Sequence, residues 1–367
     1  MSGKSDSLSP IKKMKILLVQ TSWLGDTILS TPVLSGIKKI YPHAELWMMT
    51  TPPASALIKR DPLLTDALVY DKRGRDKGIS GFFRIRNRIR RLKFDRVYSL
   101  HKSYRTTLLL WLCRIPSRIG FAEAKLAFLY HRSQRRNSKD HDVLRNLSLL
   151  SGDISPDALD TELRLFPPED DEVNQGVRTR LAGIEPYAVL VPGSAWKTKM
   201  WPWEGYRSVA QFLIKKGYRV VLLGAPSEKG VNDKVASGLD LINLAGRTDI
   251  SDALYVVQNA ALVVCNDSMA LHLASAFKVP NVAIFCSTSP SFGFGPWQNN
   301  ALVVERDDLD CKPCARHGGQ KCPTGTNDCM GGLAPENVTR AIDTLLDGQE
   351  ISNVDRQAGI PYSRVSE

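Results

Sequence analysis

At 367 residues, with 24% charged and 43% hydrophobic positions, 26 Gly and 21 Pro, the chain is long enough for two medium domains with separate cores, and its composition excludes collagen-like, disordered and disulfide-scaffold classes. No apolar run approaches the roughly 18 residues that would span a bilayer. Lys and Arg outnumber Asp and Glu 49 to 38, and nearly all of the +11 net charge falls between Asp71 and Thr106, where thirteen Lys or Arg meet three Asp. A uniformly basic chain would suggest nucleic acid; one basic block on a balanced chain suggests a local anionic surface or substrate.

The first residues are polar and lead only into the short apolar run 16–19, which does not read as a signal peptide. Residues 15–20 read as a buried strand and Thr21 to Asp26 as the loop after it. A helical stretch runs to about Ile40, with Pro32 tolerated only near a first turn or at a kink. Further strands are predicted at 44–50, 67–70 and 96–100, separated by helices. Residues 151–171, rich in Asp, Glu and Pro, read as the end of one domain and the start of a linker. A second alternating series follows: strands 187–191, 219–223, 262–266 and 281–285, and helices 203–216, 250–258 and 270–277. A last helix is predicted over 335–346, before a polar tail. Strand and helix alternating at this spacing predicts an α/β chain of two Rossmann-like parallel-sheet domains facing across a cleft.

In open parallel sheets, ligands bind beyond the carboxyl ends of strands, where loops meet helix N-termini. Leu24-Gly25-Asp26 sits at such a place. Asp26 reads either as an N-terminal capping residue or as a general base whose pKa the helix N-terminus lowers. Gly193 and Ser194, followed by Lys197 and Lys199 between tryptophans, read as a phosphate-binding loop or as a solvated lysine loop. Glu228 follows another strand end, where it can accept hydrogen bonds from ribose hydroxyls or simply begin a helix. Asp267 and Ser268 open a helix whose free N–H groups can hold an anion, with His272 about one turn on, and a satisfied buried ring is the alternative for His272. No G-x-G-x-x-G follows the first strand, and no Walker A, H-E-x-x-H or G-x-S-x-G sequence is present. Asp308-Leu-Asp310 matches a sugar-transferase metal motif but lies in a charged run away from a strand end.

Seven Cys is an odd number, and four crowd between Cys311 and Cys329, which argues against a secreted disulfide framework and for the cytoplasm. Cys311 and Cys314 have zinc-like C-x-x-C spacing. With Cys322 and Cys329 they read as reduced thiols in a compact loop and no metal site, a structural zinc site being the alternative. Between Phe82 and Leu92, Ile85, Ile89 and Leu92 follow helical spacing with Arg84, Arg86, Arg88, Arg90 and Arg91 between them. The pattern is an amphipathic helix whose arginine face, with Lys102 and Arg105 beyond, is solvated or attracts lipid head groups or a phosphorylated substrate.

Leu24-Gly25-Asp26 with Thr31-Pro32, Pro192-Gly193-Ser194 with Lys199 and Trp201-Pro202, Gly224-Ala225-Pro226, and Asn266-Asp267-Ser268 with His272, taken in order, resemble glycosyltransferase family 9, the lipopolysaccharide heptosyltransferases of GT-B fold. Ser287 to Pro290 and the cysteine segment look most like its heptosyltransferase II subgroup. The resemblance implies that Asp26 deprotonates the acceptor hydroxyl and Lys199 stabilises the departing diphosphate. Gly193, Ser194, Glu228, Thr248, Asp267, Ser268 and His272 would line an ADP-sugar pocket, with no cofactor required. It implies an acceptor domain at 1–172 and a nucleotide-sugar domain at 173–335, with the helix and tail at 336–367 open to packing back on the acceptor domain. Donor and lipid A–core acceptor would be the partners, with peripheral contact to an anionic inner membrane at its cytoplasmic face. Ala195 and Met269 depart from the family's usual hydroxyl residue and glycine. Two other readings stay open: the same chemistry on another nucleotide sugar or surface polysaccharide, and a phosphate- or nucleic-acid-binding protein without catalysis.

Overall fold

The computed structural model describes residues 13–347 and 363–365. Six parallel strands form the first sheet: β1 (Lys15–Val19), β2 (Glu45–Thr50), β3 (Asp66–Val69), β4 (Arg96–Ser99), β5 (Ser117–Phe121) and β6 (Arg132–Gln134), in the order β3-β2-β1-β4-β5-β6. The second sheet, also parallel, comprises β7 (Tyr187–Val191), β8 (Arg219–Leu222), β9 (Ile242–Asn243), β10 (Leu262–Asn266), β11 (Asn281–Phe285), β12 (Ala301–Glu305) and β13 (Ser363–Val365), in the order β13-β12-β11-β10-β7-β8-β9. This is the predicted pair of Rossmann-like domains.

Period-two alternation decides which core each strand residue enters. In β1, Ile16 and Leu18 face the core shared with the second sheet's helices, whereas Leu17 and Val19 face an outer core with Ile85, Ile89 and Leu110. Pro32 breaks the predicted long helix in two, Leu24–Leu29 and Pro32–Ile40, by occupying the first position of the second.

Strand order reverses direction between β1 and β4 in one sheet and between β7 and β10 in the other, and the connections after these strands leave open crevices. The halves meet through helix Leu24–Leu29 against Met269–Ala276 and helix Pro52–Ile58 against Ile250–Gln258. Polar ties reinforce this: the Asp142 N–H donates to Gly293 O (2.8 Å), Arg145 Nη1 donates to Phe292 O (2.7 Å), and His141 stacks on Trp297.

Three expectations need correction. Helix Pro335–Leu346 buries Val338, Ala341, Ile342 and Leu345 in the second sheet's core instead of packing back on the first domain, because its apolar stripe matches the surface beside helix Trp203–Lys215. Of the presumed polar tail, residues 363–365 add a strand beside β12, and the rest lies outside the described residues. Residues 151–171 have little regular structure but are strapped down, with Arg164 paired to Asp61 at 3.0 Å and Trp297 Nε1 donating to Thr161 O at 2.8 Å. Among the described residues no helix is long and apolar enough to cross a membrane.

Candidate active site

Two hollows open at the strand ends. One, of about 630 Å³, is lined by Gly193, Ser194, Lys199, Glu228, Thr248, Asp267, Ser268 and His272, so every predicted donor-binding residue falls in a single cavity. The other, of about 890 Å³, lies on the first sheet between the loops after β1 and β4 and is lined by Lys72, Arg73, His101, Lys102, Arg136 and Asp142 among others. Both volumes suit small-molecule ligands. Trp23, Leu24, Asp26, Phe294, Arg316 and His317 border both hollows, so Asp26 stands in the wall they share.

Asp26 occupies the first turn of helix Leu24–Leu29, where its Oδ2 accepts the N–H of Trp23 at 3.2 Å. Its pKa is nevertheless raised from 3.8 to about 6: burial is the largest cause, the neighbouring Asp142 charge adds to it, and the Trp23 N–H and Arg136 oppose it. The helix N-terminus was expected to lower this pKa, and burial reverses the sign. At neutral pH the carboxylate remains largely ionised while being a stronger base than an exposed Asp.

Asp142 belongs to the first turn of helix Asp142–Leu147 and is held by Arg136 (2.5 Å) and by Asn146 Nδ2 (3.1 Å), which also donates to Leu29 O at the end of the Asp26 helix. A Cβ on Gly25 would lie 2.7 Å from His272 Cδ2, so only glycine lets the Asp26 helix approach that ring. Burial lowers the His272 pKa to about 4, keeping the imidazole neutral. Its Nδ1 and the Ser268 hydroxyl are buried without a hydrogen-bond partner among the described residues, as polar atoms of a ligand site would be.

Lys199 ends a short turn after Trp196, with its Nζ 2.6 Å from Asp267 Oδ2; that oxygen also accepts the Thr288 hydroxyl at 2.7 Å. Glu228 Oε2 accepts the Ala225 N–H at 2.8 Å, and burial raises its pKa. Its carboxyl group lies so close to Gly193 that a Cβ there would be 2.2 Å away. The lysine loop is clamped from behind by the cysteine segment, since Thr198 N donates to Gly319 O and Gly319 N to the Thr198 hydroxyl.

That segment is a loop. No group of three or more potential ligands gathers among the described residues: Cys314 Sγ donates to Cys311 O, Cys322 contacts Thr324, and Cys329 is buried. The loop's contribution to the site is Arg316 and His317, which the thiol spacing hid and which a basic pair beside a cysteine turn could have signalled. Of the predicted basic residues, only Lys102 lines a hollow. Arg105 hydrogen-bonds Tyr70, Asp76 O and Gly78 O, Arg84 binds Asp76 and Arg75 O, and Arg86 binds Leu112 O. Arg88, Arg90 and Arg91 are exposed. Lys72, Arg73 and Arg136 take the place expected of them, and Asp308 is spent on Arg306.

Comparison with known proteins agrees with this geometry. The chain is 26% identical over 356 residues to lipooligosaccharide heptosyltransferase 2 of Haemophilus ducreyi, covering 91% of this chain and 99% of that protein. Its fold matches a family 9 glycosyltransferase of Veillonella parvula (TM-score 0.78, 24% identity, 91% and 97% coverage). It also matches the ADP-heptose lipopolysaccharide heptosyltransferase II of Escherichia coli (TM-score 0.73, 24% identity, 92% and 100% coverage). The model of glycosyltransferase family 9 (heptosyltransferase) matches residues 82–322, and the chain belongs to that family of two-domain GT-B glycosyltransferases.

Proposed function

We propose that this glycosyltransferase is a heptosyltransferase of the second type, moving L-glycero-D-manno-heptose from ADP-heptose to the heptosylated inner core of lipopolysaccharide with inversion, at the cytoplasmic face of the inner membrane. The observation that carries this reading is the position of Asp26 in the wall between two hollows, one holding Lys199 and the other lined by cations. The acceptor sugar chain, with its anionic groups, occupies the basic hollow, and the nucleotide sugar occupies the other. Asp26 removes the proton from the acceptor hydroxyl, whose oxygen attacks the anomeric carbon. The bond from that carbon to the diphosphate oxygen breaks, and ADP leaves with the electron pair. Lys199 supplies positive charge to the departing diphosphate in a site partly shielded from water.

Turnover of ADP-heptose with a heptosylated lipid A acceptor tests the reading, with Asp26→Ala expected to be inactive; full activity in that variant removes Asp26 from its role. Thermal stabilisation by ADP-sugars, compared with UDP- and GDP-sugars, tests the donor, and preference for UDP-sugars overturns the ADP assignment.

A further inference from the structure

The cysteine loop runs directly behind the lysine turn that serves the smaller hollow. Thr198 N donates to Gly319 O at 3.0 Å, Gly319 N donates to the Thr198 hydroxyl at 2.8 Å, and Gln320 Nε2 donates to Ala195 O at 3.3 Å. A Cβ on Gly318 would lie 3.0 Å from Cγ of Lys199 itself, so the loop backbone runs against that side chain. From the same stretch Arg316 and His317 border both hollows. Upstream the loop is anchored: Cys314 N donates to Ser287 O at 3.0 Å, and the buried Lys312 Nζ is held by Glu305 (2.7 Å) and Phe285 O (2.8 Å). The placement of residues 315–321 therefore bears on Lys199 and on both hollows together.

Two thiols bracket this stretch, Cys314 before it and Cys322 after it, and both are partly open to solvent. Cys311 lies on the far side of the Lys312 anchor, and Cys329 is buried. The bracketing thiols differ in chemistry. The Thr324 hydroxyl, 3.2 Å from Cys322 Sγ, and the Asn327 N–H stabilise the Cys322 thiolate and bring its pKa down from 9.0 to about 7. Cys314 is raised instead, by burial first and then by Cys311 and Cys322, which lie close enough for their charges to act on it; its Sγ donates to Cys311 O at 3.2 Å. A thiolate attacks disulfides and a protonated thiol does not, so Cys322 is the point of attack and Cys314 the neighbour that follows. The transfer chemistry has no use for either.

We propose that Cys322 and Cys314 form a thiol–disulfide exchange site at which a low-molecular-weight disulfide, such as glutathione disulfide, closes a Cys314–Cys322 bond that pulls the loop away from Lys199 and the two hollows. The Cys322 thiolate attacks one sulfur of glutathione disulfide, whose S–S bond breaks, and one glutathione thiolate leaves with the electron pair. Cys314 then gives its proton to solvent, its sulfur attacks Cys322 Sγ in the mixed disulfide, and the second glutathione thiolate leaves. Two protein thiols are oxidised and one glutathione disulfide is reduced to two glutathiones. A disulfide holds its Cα atoms about 4.4–6.8 Å apart. Bond formation thus fixes the ends of 314–322, and the segment between must adapt at Gly318 and Gly319, the residues that touch Lys199 and Thr198. The exchange itself does not depend on which sugar is transferred.

The test is to equilibrate the full reduced chain in buffers of graded glutathione disulfide to glutathione ratio, then to count thiols and map disulfides by mass spectrometry. Loss of two thiols to a Cys314–Cys322 bond is expected, with turnover lowered about tenfold or more, thermal stabilisation by ADP reduced, and both restored by dithiothreitol. Cys322→Ser should keep the basal turnover and lose the redox response. Cys314→Ser should stop at the mixed disulfide, carrying one glutathione on Cys322. Circular dichroism verifies that both variants fold. Thiols that stay reduced in the most oxidising buffer, a disulfide confined to Cys311 and Cys314, or zinc or iron held by the purified chain and lost in Cys314→Ser would each overturn the proposal. A Cys314–Cys322 bond that leaves turnover and ADP stabilisation unchanged would do so too. Because the bond and the glutathione adduct are read by mass without substrate, their failure is separate from failure of the heptosyl-transfer reading, which Asp26→Ala decides.

Discussion

Asp26→Asn should abolish turnover and stabilise the fold. Burial lifts the Asp26 pKa from 3.8 to about 6, so the ionised carboxylate costs the folded state up to about 3 kcal/mol. The residue keeps part of its surface open to cleft water, which reduces the penalty, and about 1–3 kcal/mol is the expected gain on neutralisation. Asn can still accept the Trp23 N–H through its carbonyl oxygen, so no buried donor is orphaned. The sign follows from proton binding. Between pH 3.8 and 6 the folded protein holds a proton at this site that the unfolded chain has released, so stability falls as pH rises through that window and the penalty is complete above it. Melting of wild type and variant at pH 7.5 and pH 4.5 checks this: a gain of a few degrees at pH 7.5 should shrink to roughly a third at pH 4.5. In wild type the acid limb of kcat/KM should lie near pH 6. A variant no more stable than wild type at pH 7.5, or equally stabilised at both pH values, would refute the claim that Asp26 is a carboxylate buried at a cost to stability.

The neighbours of Asp26 should move that limb in opposite directions in pH–rate profiles: Asp142→Asn removes a negative charge and shifts it to lower pH, whereas Arg136→Gln removes a positive one and shifts it higher. Lys199→Ala should lower kcat by about 10²–10³ and, by leaving the buried Asp267 without its 2.6 Å cation, should destabilise the fold by about 3 kcal/mol in denaturant titrations. Gly193→Ala places a Cβ against the Glu228 carboxyl and should raise the donor KM on the order of tenfold while kcat changes little, as steady-state kinetics would show.

The legible parts of this protein are those whose signal is local. β7, β10 and β11 and helices Ile250–Gln258 and Pro335–Leu346 lie where their patterns put them, because burial of both strand faces, or of one helix stripe, leaves its mark on consecutive residues. β6 consists of Arg132, Ser133 and Gln134, half-exposed at a sheet edge, and β9 is two residues long, so neither carries an apolar signature. Ala301–Glu305 does carry one and was readable as a strand. Gly193, Ser194, Glu228, Asp267 and Ser268, which line the smaller hollow, were legible because they follow strand ends, whereas Arg136, Asp142, Arg316 and His317 line the larger hollow with Asp26 from segments with no sequence mark of their destination.

The Asp26 pKa shows why local reasoning stops where it does. A helix N-terminus is worth about 0.3–1 kcal/mol to an adjacent carboxylate, and the Trp23 N–H makes that contribution here in the expected direction. Desolvation of a buried carboxyl reaches several pH units. Burial of this helix is a property of the folded chain, where Asn146 bonds the carbonyl of Leu29 and His272 packs against Gly25 from other segments. Where a short-range effect of under one kcal/mol meets a long-range effect several times larger, the sequence supplies the identity of the group and tertiary packing supplies the sign of its perturbation.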